Sequence, residues 1–84
     1  MKIFENIINH KISTITASEL LKYANQFNIS INKSQAAKIA EYLRGKNVNI
    51  FNDSERTKLI KEIAKIAGPE TARSVNQLFI QFTK

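Results

Sequence analysis

Apolar residues return along this chain at three- and four-residue intervals, the period of one face of an α-helix. Ile3, Phe4, Ile7 and Ile8 open the series and predict an amphipathic helix over residues 2–11, with Glu5, Asn6 and Asn9 on its polar side. Leu20, Ala24 and Phe27 form the buried stripe of a second helix over 17–27, with Leu21 beside them and Tyr23 at the rim. Ala36, Ile39, Ala40 and Leu43 line a third helix that runs to Arg44. Leu59, Ile60, Ile63, Ile66 and Ala67 mark a fourth, and Ala72, Val75, Leu78, Phe79 and Phe82 supply the packing face of a fifth.

The helix ends carry their own signals. Thr16 with Glu19 three residues later reads as a capping box, and Ile15 facing Leu20 as the hydrophobic staple that accompanies it. The same grammar returns at Asn32 with Gln35 and at Asn52 with Glu55. Its unequal spacing points to recurring capping chemistry rather than to an internal repeat. Gly45 stands where a left-handed residue would stop the third helix, Gly68 ends the fourth, and Pro69 fits the first turn of the fifth. Residues 13–15 read as extended. Ile29-Ser30-Ile31 and Val48-Asn49-Ile50-Phe51 alternate β-branched and polar positions, which predicts a tiny two-stranded pairing between residues 29–31 and 48–51. The fold class is therefore all-α, a compact bundle of four to five short helices forming a single helical domain over residues 1–84.

At 84 residues, with 43% hydrophobic and 24% charged positions, the chain is a folded domain with a thin margin of stability. It has no cysteine, which removes disulfides, thiol catalysis and cysteine metal sites. His10 is the single histidine and cannot form a His-based metal site alone; next to Lys11 at a helix end it reads as a surface or capping residue. No cofactor and no metal are expected. The start of the chain turns acidic at Glu5 where a signal peptide needs its apolar stretch, so a cytoplasmic protein away from membranes is expected.

Candidate chemistry does not converge. Glu19, Glu55 and Glu70 all fall in first helical turns, where the exposed amides favour a carboxylate. Residues 40–47 resemble a phosphate loop only at Gly-Lys, since Ala40 and Asn47 occupy positions that need Gly and Ser or Thr. Asn52-Asp53-Ser54-Glu55 lacks the spaced oxygens and central Gly of a calcium loop. A helix-turn-helix fails as well, because the apolar anchors of the third helix stand out of register with that motif. The expectation is a protein that is not an enzyme.

Binding is better supported. Thirteen bases against seven acids give a net charge of +6, part of which the ten Lys against three Arg and the thirteen Ile assign to AT-rich codons. Half of the excess lies between residues 28 and 47, in Lys33, Lys38, Arg44 and Lys46 against Glu41. Lys33 and Arg44 fall within about 20° on a helical wheel, so both could meet one phosphate backbone. Lys58, Lys61 and Lys65 on the fourth helix share their side with Glu55 and Glu62, which suits solubility and i, i+3 pairing.

Leu43-Arg44-Gly45-Lys46-Asn47-Val48-Asn49-Ile50-Phe51 and Gly68-Pro69-Glu70-Thr71-Ala72 resemble a family of short uncharacterised proteins from low-GC Gram-positive bacteria, over most of the chain from about Ile15 to Phe82. The resemblance implies a bacterial cytoplasmic setting. It carries no activity and no functional residues to transfer.

Two readings of function follow. In the first, a non-enzymatic module contacts nucleic acid, or a complex containing it, through Lys33, Lys38, Arg44 and Lys46. In the second, a protein adaptor or homodimer uses the apolar faces of the terminal helices. Phe79, Ile80 and Phe82 spread over more than one side of the last helix, and the first helix brings four large apolar residues that so small a core has difficulty covering.

Overall fold

The computed structural model describes residues 2–83, with side chains over residues 3–81. Five helices follow in order: α1 (Lys2–Thr14), α2 (Ala17–Gln26), α3 (Lys33–Leu43), α4 (Asp53–Ala67) and α5 (Pro69–Thr83). α3 is the centre of the arrangement. It packs against α1, α2 and α4, while α5 packs back on α4. Among the described residues α1 makes no helix-to-helix packing with α2 or α5.

The core forms where the predicted stripes of α3 and α4 meet. Ile39, Leu43, Leu59 and Ile63 are buried there together with Ile15, Ala72 and Ile50, and Ile50 and Leu59 are the largest side chains wholly removed from water. Ile8 and Ile12 of α1, Leu20 of α2 and Val75 and Phe79 of α5 close over this centre as half-buried residues. The Ile15–Leu20 staple is thus part of the core itself.

Two of the three helix entries are complete capping boxes. The Glu19 N–H donates to Thr16 Oγ1 at 3.1 Å while the Thr16 N–H donates to the Glu19 carboxylate at 3.0 Å. Asn32 and Gln35 repeat the exchange at 2.8 and 2.9 Å. At α4 the Asn52 side chain caps the Glu55 N–H at 3.0 Å, but Glu55 turns away from its cap and accepts from the Asn49 N–H at 3.1 Å. Gly45 and Gly68 end α3 and α4 with φ of 76° and 96°, a region in which a Cβ is disfavoured.

Several expectations need correction. Residues 13 and 14 are helical, because Ser13 Oγ and Thr14 Oγ1 both donate to the His10 carbonyl and so keep their hydroxyls satisfied within the helix. α2 ends at Gln26 and α3 at Leu43, one residue short of the predicted ends, with Phe27 and Arg44 as the C-caps. The pairing of residues 29–31 with 48–51 is absent, and its backbone groups are spent elsewhere. The Ile29 N–H bonds to the Ala24 carbonyl at 2.8 Å, the Ser30 carbonyl accepts from Thr71 Oγ1 at 3.0 Å, and the Ile50 N–H bonds to Asn9 Oδ1 at 3.1 Å. Phe27, expected in a buried stripe, is 48% exposed. No helix among the described residues is long and apolar enough to cross a membrane.

Candidate interaction surfaces

Of the other helices α1 comes closest to α3, and a gap lies between α1, α2 and α5. It is an apolar groove of about 440 Å³, floored by Ile39, Leu43, Leu59 and Ile63 and walled by Ile7 of α1, Tyr23 of α2 and its C-cap Phe27, and Leu78 and Phe79 of α5. Among the described residues Lys11 is the one charged residue that lines it. Its ammonium pairs with Glu19 across the α1–α2 corner. The hydrogen bond to Glu19 raises the Lys11 pKa above its ordinary value, and that from Lys11, aided by the Thr16 N–H, lowers Glu19 below its own. The charge at the edge of the groove is therefore neutralised in place.

Large apolar side chains are exposed on the elements that wall the groove. Ile3 and Ile7 stand one turn apart on α1 at 72% and 63% exposure, with Phe4 beside them at 54%. Tyr23 on α2 and Phe27, its C-cap, stand four residues apart. The apolar contacts of α1 with the core lie in its second half, where Ile8 and Ile12 pack and Asn9 bonds to the loop before α4, and the buried Ile15 follows just beyond the helix. Its first turns form an apolar arm that exposes Ile3, Phe4 and Ile7, with the half-buried Glu5 among them.

Of the sequence-predicted interaction residues, Phe79 is half-buried, reaching both the core and the groove wall. Ile80 lies next to it at the edge of exposure. The Phe82 side chain lies outside the described residues. Sequence reasoning placed Tyr23 at the rim, where it is, but missed Phe27 as a surface group, although the surplus of apolar positions over what a small core can hold was the signal for it.

The four bases are exposed but not gathered. Lys33 opens α3, and Arg44, its C-cap, lies eleven residues on, about 16 Å along the axis. Lys38 points about 140° around the helix from Lys33. Lys46 is held with its ammonium 4.9 Å from the centre of the Tyr42 ring, a cation–π contact that ties it to the turn after α3. On α4 the Glu62–Lys65 pair closes at 3.9 Å, while Arg56 pairs with Asp53 and donates to the Ile50 carbonyl at 3.0 Å. Among the described residues no group of three or more His, Cys, Asp or Glu is placed to hold a metal ion.

The model of a family described as protein of unknown function (DUF2624) matches residues 1–83. The chain belongs to that family. It is 51% identical over 83 residues to the uncharacterised protein YqfT of Bacillus subtilis, a low-GC Gram-positive bacterium, with 99% of each chain covered. No solved structure matches it. For this DUF2624 member the site has to be read from its own geometry, and the geometry offers one concave apolar surface and one dispersed basic one.

Proposed function

We propose that the chain is a non-enzymatic protein-interaction module whose binding element is the groove between α1, α2 and α5. One observation carries this reading: an open apolar concavity is lined by Ile7, Tyr23 and Phe27, all substantially exposed, and the exposed Ile3 and Phe4 precede Ile7 on α1. Isolated exposed apolar residues are ordinary, whereas a contiguous patch around a concavity marks an interaction surface. An apolar helix face, with anchors at three- and four-residue spacing, is the element that such a groove accepts.

Contact with nucleic acid through Lys33, Lys38, Arg44 and Lys46 is the competing reading. It has the exposure of the four side chains in its favour, and their spacing along and around α3 against it. Photo-crosslinking in the native bacterium separates the two. A benzophenone amino acid replacing Phe27 is expected to give one protein adduct of discrete mass, lost when Ile3→Lys and Ile7→Lys are added. Adducts only to nucleic acid, and only from a probe at position 38, would overturn the groove reading.

A further inference from the structure

We infer that the occupant of the groove is a second copy of this chain, the exposed stripe of α1 from each copy lying in the groove of the other. The inference rests on the groove reading above and names its partner. Self-complementarity is the first support. A two-fold contact requires one molecule to carry both the knob and the hole. Here the first turns of α1 supply exposed Ile3, Phe4 and Ile7, and Ile7 also belongs to the wall of the concavity.

Area is the second. The exposed parts of Ile3, Phe4, Ile7, Tyr23, Phe27 and Ile80 amount to on the order of 600 Å², against roughly 800 Å² per partner in a stable interface, and the half-buried groove walls make up the difference. That is at the top of the range for the largest apolar patch on a monomer.

Charge is the third. Two chains of +6 repel one another, so a self-interface must lie where the charge is not. Lys33, Lys38, Arg44, Lys46, Lys58, Lys61 and Lys65 all stand off the groove lining, and Lys11, the single charge on it, is already paired with Glu19. The seam is the electrically quiet side of a basic molecule. A partner chosen for opposite charge would be expected to dock on the other side.

The test uses the whole chain. Wild-type protein at about 100 µM, the concentration at which even weak pairs populate, is expected to sediment at twice 9.6 kDa. Ile7→Lys should weaken the dimer at least about 30-fold, the loss expected at a central anchor, with the helical CD signal kept; Phe27→Glu gives the same reading if Ile7→Lys fails to fold. Because the chain has no cysteine, a mixture of Ile3→Cys and Phe27→Cys proteins should form a disulfide between the two variants in preference to either self-pair. A monomer at this concentration, or a dimer unmoved by both substitutions and without the mixed disulfide, overturns the second copy as occupant. If the in-cell adduct at Phe27 then has a mass other than twice the chain, the groove reading stands without it. If there is no adduct, both fall.

Discussion

Asn9 on α1 uses both ends of its side-chain amide to grip Asn49 and the residue after it. Its Nδ2 donates to Asn49 Oδ1 at 2.9 Å, and its Oδ1 accepts from the neighbouring Ile50 N–H at 3.1 Å. Asn49 Oδ1 also accepts from the Phe51 N–H at 3.0 Å. These bonds dock α1 onto the loop that carries Ile50 into the core, and they do so next to a side chain wholly removed from water.

Asn9→Ala therefore strips a buried N–H of its acceptor and is expected to cost about 1–3 kcal/mol, the penalty for an orphaned buried group. Asn9→Asp keeps the acceptor for Ile50 and loses only the donor to Asn49, so it should cost less. Urea denaturation of both variants checks the order, and faster hydrogen exchange at the Ile50 amide in Asn9→Ala locates the effect.

The caps make a graded set. Thr16→Ala and Asn32→Ala each remove a reciprocal box and should cost about 0.5–2 kcal/mol. Asn52→Ala removes only the side-chain half of the α4 cap, because Glu55 is engaged with Asn49 rather than with the Asn52 N–H. Glu55→Ala should consequently loosen the 49–52 loop, seen as faster exchange at the Asn49 amide, while Gln35→Ala should fray only the first turn of α3.

The Lys11–Glu19 pair sets a pH window. Glu19 titrates below its ordinary value, so its stabilising contribution is fully present above the unfolded carboxyl pKa of about 4.3 and is lost as pH falls through the lower folded value. Lys11 titrates above its ordinary value, so its share is present below about 10.4 and is lost as pH rises through the higher folded value. Thermal melts across pH are expected to show a wild-type advantage over Glu19→Gln that is flat near neutrality and declines at both ends. An advantage unchanged at acid pH would contradict it.

Gly68 joins α4 to α5 at φ 96° and ψ 160°, and a Cβ there would meet no atom within 4 Å. Its requirement is conformational rather than steric. Gly68→Ala should cost about 1–3 kcal/mol from backbone strain alone. Gly45→Asn, at φ 76°, should cost less, because Asn tolerates the left-handed region, as Asn28 and Asn47 of this chain already do. Paired denaturation curves decide between them.

The helix starts were legible because capping is local chemistry: Thr16, Asn32 and Asn52 each sit within three residues of the amide they serve. The stripes of α3 and α4 were legible for the same reason. Asn9 was not. On a wheel it belongs with Glu5 and Asn6, and its real partner lies 40 residues away. The segments at 29–31 and 48–51 misled in the same way, since their alternation is real but their hydrogen bonds go to Ala24, Thr71 and Asn9 instead of to each other. Phe27 looked like core because the period that predicts a helix cannot say whether another helix arrives to cover its stripe, and here the gap between α2 and α5 leaves it open.

The separation of Asn9 from Asn49 also orders events in time. Joining Asn9 to Ile50 closes a long stretch of chain, which costs more entropy than the nearer contacts between α3 and α4. Docking of α1 is therefore expected after the rate-limiting step, and Asn9→Ala should speed unfolding while leaving the folding rate nearly unchanged, a φ-value near zero. Substitutions at the α3–α4 contact, such as Ile39→Val, should slow folding instead. The arm that carries Ile3 and Ile7 is then the last part of the molecule to be held and the first to let go.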